Sequence, residues 1–306
     1  MAGNRFPFAL RGSGFGPGDT LYGENADMEN VFFQPEDKVL CESLLASAAK
    51  NEDRLKTLPE IAVALAKHFI GSPYSPQILS TGIVETLTAN LQSFDCVTFV
   101  ESVVAMALTI QSGGTELVHF LHMLEKIRYR NGRMNGYPSR LHYFTDWIWD
   151  NEKKGILTDV TDALGGIPTT KRFSFITSGR QGCPPLRDGA ALLEMLLAED
   201  ACAGRGFYTI PKRNWSKAEA EVQDGDIIAI VSNRDDIDVL HVGFAVRVNQ
   251  KARLLHASSK TGSVVISDST LNHYLREKSS RTGVVVARLL PSPPNASAGA
   301  ASLMLS

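Results

Sequence analysis

The chain predicts an α+β fold in which a buried helix bearing one cysteine packs on an antiparallel sheet. Three observations carry that expectation. Helical patterns fill the first half, short strand patterns fill the part after Val222, and the helix opened by SFDCVTFVES (Ser93 to Ser102) is apolar on nearly every face. Helices first and strands later argue against an alternating α/β order.

The elements are justified in order. Pro35 to Lys50 and Leu58 to Phe69 carry helical patterns, followed by the Cys96 helix and by Glu116 to Ile127. Asp95 suits the N-cap of the Cys96 helix, because its carboxylate can accept from the free amides of the first turn. Val97, Val100, Val104 and Leu108 mark one apolar face, and Phe99, Val103, Met106 and Ile110 another, as in a buried helix. Glu101 is its single charge and needs a partner, for which Arg140 is the expected one. Arg128 to Asn151 reads as irregular and aromatic, and Asp188 to Glu199 as one more amphipathic helix. Strands are expected at Asp226 to Val231, Val239 to Val246, Ala252 to Ser258 and Ser263 to Ser267. Turn residues between them (Asn233, Asn249, Thr261-Gly262) suit a meander, which Thr282 to Leu289 closes.

The 306 residues are 43% hydrophobic, enough for a large core. Composition divides them into a flexible arm over 1–28, a single folded domain over 29–290 and a disordered tail over 291–306. A net charge of −2 gives no reason to expect nucleic acid, and no run approaches the ~18 apolar residues of a membrane span. The N-terminus lacks the continuous apolar core of a secretory signal. Cys41, Cys96, Cys183 and Cys202 show no C-x-x-C spacing and no disulfide framework, with a Cys183–Cys202 bridge left open. GSGFGPG near the start lacks a flanking strand and helix, so it reads as a linker rather than a phosphate loop. His119 and His122 share a helix face without a third ligand in recognisable spacing; no metal and no cofactor is expected.

The chemistry resides in three residues. Cys96 would sit at the positive end of a buried helix, where the dipole and exposed amides favour a thiolate. His241 in DVLHVGFAV and His256 in LLHASS lie on strands joined by the Asn249 turn, so their imidazoles can meet at one end of the sheet. A thiol facing a histidine that a third polar group orients is the arrangement thiol hydrolysis needs. The alternative is a small core cysteine and two satisfied strand histidines.

Phe94-Asp-Cys96, Asp224-Gly-Asp226, His241-Val-Gly243 and His256-Ala-Ser258, in that order, resemble the papain-like bacterial cell-wall cysteine hydrolases of the NlpC type. Gly71-Ser-Pro-Tyr74, Asp95 to Glu101 and Ser139 to Trp147 are similar to the N-acetylmuramoyl-L-alanine amidase-like branch, over roughly residues 30 to 290. The resemblance implies a papain-like fold with helical insertions and no cofactor. It makes Cys96 the nucleophile, His241 the general base and His256 its orienting partner. Tyr74 would assist the oxyanion, and Asp95 is shared with relatives in which it engages a free amino group. Arg140, His142, Tyr143 and Trp147 would line a glycan cleft.

The implied reaction is hydrolysis of the amide joining N-acetylmuramic acid to L-alanine, in peptidoglycan or its fragments. A γ-D-glutamyl-diamino-acid endopeptidase and a catalytically silent wall-binding module are the alternatives. The substrate implies the periplasm or cell surface, while the missing signal leaves a cytoplasmic place open.

Overall fold

The computed structural model describes residues 30–76, 79 and 82–291, so the arm expected over 1–28 and nearly all of the tail from 291 lie outside the described residues. The first part of the chain runs β1 (Val31–Phe32), α1 (Pro35–Lys50), α2 (Leu58–His68), β2 (Leu87–Thr88), α3 (Cys96–Gln111), α4 (Leu117–Arg128) and α5 (Phe144–Lys153). Next come β3 (Leu157–Asp159), β4 (Ile167–Thr169), α6 (Phe175–Ser178), α7 (Gly189–Arg205), β5 (Phe207–Pro211) and α8 (Trp215–Ala218). The sheet-rich end is β6 (Ile227–Ser232), β7 (Val239–Val248), β8 (Lys251–Ser258), β9 (Ser263–Ile266), α9 (Leu271–Arg276) and β10 (Arg281–Leu289). The α+β class stands.

One antiparallel sheet has the order β4-β5-β10-β6-β7-β8-β9, with β3 also paired to β10. The meander β6 to β9 forms as the turn residues predict. β10 returns to the far side of β6, where it joins the meander to β5. Asp226 fastens that return: its buried carboxylate takes two hydrogen bonds from Arg288, at 2.8 Å each.

α3 fills one face of this sheet. From Thr98 to Ile110 every residue of the helix is buried. Its side chains pack with Val242 and Phe244 of β7 and Leu255 and Ala257 of β8, and with α1, α2 and α4 on the other sides. A second apolar cluster lies on the opposite sheet face, where Ala245 and Leu254 meet Leu271 and Leu275 of α9.

Three expectations need correction. The irregular stretch at 128–151 contains α5, whose helical face pattern is hidden by its aromatic content, and α7 runs on to Arg205. The short strands β1 to β5 carry too few residues for a legible alternation. Glu101 pairs with Arg128 at 2.8 Å, both side chains 2% exposed, whereas Arg140 pairs with Glu85 at 3.3 Å. Arg128 is the nearer choice because α4 packs directly along α3, and its guanidinium also donates to the Thr88 carbonyl. All four cysteines are free thiols, Cys183 and Cys202 included. Among the described residues no helix is long and apolar enough to cross a membrane.

The buried pair is a test of the fold. Removing one partner strands a charge in the core, so Arg128→Met should cost about 3–5 kcal/mol in denaturant unfolding. Adding Glu101→Leu should recover much of that loss, which a purely additive pair of substitutions would not.

Candidate active site

The thiol is placed by the start of α3. Asp95 Oδ1 accepts from the Val97 and Thr98 amides at 2.9 and 2.7 Å, and Thr98 Oγ1 accepts from the Asp95 amide at 3.0 Å. This reciprocal cap fixes the first turn and leaves Cys96 half-buried at the helix end. The Val242 amide, next to His241, turns toward the Cys96 sulfur, as do the amides of Cys96 and Val97. The N-terminus of α3 therefore meets β7 beside its histidine.

The histidines are placed by their strands. Val242, Phe244, Leu255 and Ala257 pack in the cluster around α3, and His241 and His256 adjoin them at the end of β7 and β8, beyond the last residues these two strands pair, Phe244 and Leu255. There His241 Nε2 lies 2.5 Å from His256 Nδ1. Gly243 makes the approach possible: a Cβ at this position would stand 2.7 Å from the Leu255 carbonyl and 2.8 Å from His256 Cβ. The glycine of His-Val-Gly is thus a spacing requirement between β7 and β8.

Electrostatics differ from the expected thiolate. Burial, with the Asp95 carboxylate adding to it, pushes the Cys96 thiol up to about 12, against the pull of the three amides. Burial also holds His256 down at about 4, helped by Arg281, and takes His241 well below its ordinary range through burial, His256 and Arg281. At neutral pH the free protein holds a protonated Cys96 thiol and two neutral imidazoles.

Tyr74 is half-buried and close enough to Cys96 and Asp95 for their charges to raise its hydroxyl, after burial. Its backbone is set by a bridge to Phe94 and by donation to the Gly262 carbonyl at 2.8 Å. Tyr274, which the sequence reading missed, packs against both imidazoles, with ring centroids 6.4 Å from His241 and 5.8 Å from His256. No local motif marks it; only α9 folding back over β8 brings it there.

The aromatic segment is mostly core. Trp147 is 0% exposed and stacks on Phe144, and Tyr143 is buried with its hydroxyl donating to Glu199 at 2.6 Å. Neither offers surface for a sugar, which corrects the expected cleft wall. His142 bonds to the Tyr137 carbonyl at 2.9 Å, and burial takes it down to about 3. Arg140 lies over the Tyr137 ring. A cleft of about 360 Å³ opens between α5, β4 and β5, lined by Trp149, Glu152, Asp159, Arg205 and Tyr208, but by none of the residues around Cys96. His119 Nδ1 accepts from the Thr115 and Glu116 amides, which makes it a helix cap of α4. Among the described residues no cluster of three or more His, Cys, Asp or Glu could hold a metal.

Two outcomes check this geometry. Gly243→Ala should separate the imidazoles and lower turnover on the order of 10- to 100-fold, read by steady-state kinetics on folded protein. The second concerns stability. A histidine held at about 4 when folded, against 6.5 ordinarily, leaves the unfolded chain binding the extra proton. Its neutral burial is harmless above 6.5, and stability is lost as pH falls from there toward 4. Thermal melts of His256→Asn should therefore fall less steeply across that window than those of the wild type.

Residues 64–284 match the AmiA-like family, described as N-acetylmuramoyl-L-alanine amidase-like. No curated protein sequence matches the chain. An N-acetylmuramoyl-L-alanine amidase from Bacteroides uniformis superposes with a TM-score of 0.70 at 33% identity, covering 76% of this chain and 99% of that one. A candidate xylanase from Bacteroides fragilis gives 0.67, also at 33% identity, covering 74% and 100%. A Legionella pneumophila protein only 21% identical shares the fold, with a TM-score of 0.65 over 85% of this chain and 96% of its own. Matched by the family over most of its length and by a solved relative almost end to end, the chain belongs to the AmiA-like, N-acetylmuramoyl-L-alanine amidase-like family.

Proposed function

We propose that the protein is a cysteine amidase that hydrolyses the amide between N-acetylmuramic acid and L-alanine in peptidoglycan or its fragments. The observation that carries the reading is the meeting of Cys96, at the N-terminus of α3, with β7 beside a histidine already hydrogen-bonded to a second histidine. Family membership supplies the bond class. Such a substrate lies in the periplasm or at the cell surface, and we place the protein's action there.

His241 Nε2 is engaged by His256, so Nδ1 is the nitrogen left for the thiol. That assignment puts the His241 proton on Nε2, donated to His256 Nδ1. Because thiol and imidazole start neutral, the thiol proton passes to His241 as sulfur attacks the lactyl carbonyl carbon. The oxyanion meets the Cys96 amide at the positive end of α3, with the Tyr74 hydroxyl as a second donor. As the C–N bond breaks, His241 returns the proton to nitrogen and the peptide leaves with a free L-alanine amine. Water then gives a proton to His241, attacks the thioester carbonyl, and releases the lactyl carboxylic acid and the thiol.

A second reading, the γ-D-glutamyl-diamino-acid endopeptidase, is favoured by one feature. Asp95 Oδ1 serves the helix cap, while Oδ2 has no hydrogen-bond partner among the described residues and could receive a substrate amine. A glycosidase would need a pair of carboxyl groups flanking the bond, whereas the site beside Cys96 offers the carboxylate of Asp95, otherwise engaged as the helix cap, among imidazoles and phenols.

Mass spectrometry of muropeptide digests decides between them. N-acetylmuramoyl peptides should yield free sugar and a peptide beginning with L-alanine, while the same peptide without its sugar stays intact. Cleavage of the sugar-free tripeptide between D-glutamate and the diamino acid would sink the amidase reading. Cys96→Ala and His241→Ala should abolish turnover, and His256→Asn should lower it ~10²-fold as a supporting group. An active His241→Ala beside an inactive His256→Asn would reverse their roles.

A further inference from the structure

We propose that Arg281 and Tyr274 form a clamp that positions the histidine pair, with the Arg281 guanidinium fixing the Tyr274 ring as the wall on which both imidazoles rest. The inference builds on the proposed role of His241 and His256. It explains how two neutral imidazoles are held in register at the end of two strands.

The geometry is local and complete. Arg281 opens β10 and is 9% exposed. Its Cζ lies 3.6 Å from the centroid of the Tyr274 ring, within cation–π range, and Nη1 donates to the Tyr274 carbonyl. The same nitrogen lies 3.4 Å from Glu277 Oε2. One guanidinium thus satisfies a carbonyl at the C-terminal end of α9, lies on the ring of that residue and is tethered to the next turn. The ring it fixes meets His256 edge-on, at 80°, and lies tilted by 36° to His241. Rings otherwise free to rotate about χ2 are held by a buried cation, so the imidazole orientations are set from α9 as well as from their own strands.

The clamp has an electrostatic consequence. The titratable groups at the imidazoles are each other across β7 and β8, the Tyr274 ring from α9 and Arg281 from β10, with Cys96 of α3 reaching Tyr274. Of these, Arg281 is the fixed cation, and it opposes protonation of both histidines. Glu277 partly neutralises it from the surface. The base is therefore kept ready to accept the thiol proton at lower pH than an isolated histidine would be.

Three variants separate the charge from the wall. Arg281→Met removes the cation, so the imidazoles should titrate at higher pH in NMR spectra of histidine-labelled protein. Glu277→Gln frees the cation and should move them the opposite way, to lower pH, with no core residue disturbed. The acid limb of iodoacetamide alkylation at Cys96 should follow both shifts. Tyr274→Phe keeps the ring and should keep turnover, whereas Tyr274→Leu should lower it on the order of 10- to 100-fold. Titrations unmoved by Glu277→Gln, or moved the same way by both charge variants, overturn the clamp even if Arg281→Met fails to fold. Because NMR and alkylation need no substrate, a wild type that leaves muramyl amides uncut would overturn the amidase reading and not this one.

Discussion

The enclosure of α3 governs everything else. A helix that buries each residue from Thr98 to Ile110 must be covered on all sides. The sheet covers one side, and α1, α2 and α4 cover the others. At roughly 1.5–3 kcal/mol for each large apolar side chain removed from water, this burial outweighs any local preference along the chain. The single charge within it, Glu101, is tolerated because Arg128 arrives from the adjacent helix. What emerges from the cover is the first turn, where Asp95 caps the amides and Cys96 stands against β7. The site is the half-buried end of the most buried element.

Burial also decides the protonation states. A helix N-terminus stabilises an anion by about 0.3–1 kcal/mol, less than one unit of pKa. Desolvation moves the Cys96 thiol from 9.0 to about 12, so the dipole loses. The same effect keeps both imidazoles neutral. The resting site stores no ion pair, so in the proposed reaction the charge separation of attack would fall to the amides of the first turn, the Tyr74 hydroxyl and the second histidine. This is preorganisation by backbone and neighbouring ring rather than by standing charge.

The aromatic segment before and within α5 shows how chemical type misleads about location. Tyr, His and Trp read as platforms for a sugar, yet Tyr143 and Trp147 bury more apolar area than the segment can leave in water. Their packing is what orders the chain between α4 and β3. Trp149, two residues on, remains half-buried with Lys153 and Arg205 against its ring. A one-residue step on a helix turns a side chain by about 100°, and only the packed helix shows which aromatic faces outward.

The pattern of residues by itself determined the class, the α3 helix with its cap, and the meander that carries both histidines. These depend on periodicity and on contacts within a few residues, which the chain states locally. It also brought His241 and His256 together, because the Asn249 turn sets β7 beside β8, while the meeting of Cys96 with β7 came from tertiary packing. Tertiary structure alone decided the partner of Glu101, the return of β10 beside β6, and the burial of Tyr143 and Trp147. It alone brought Tyr274 and Arg281 to the imidazoles, from a helix and a strand 15 or more residues beyond His256. It also reversed the expected thiolate, since a local motif shows the dipole at a cysteine but not the depth of protein around it. Contacts between distant segments are set by which apolar surfaces must be hidden together, and that is a property of the whole chain.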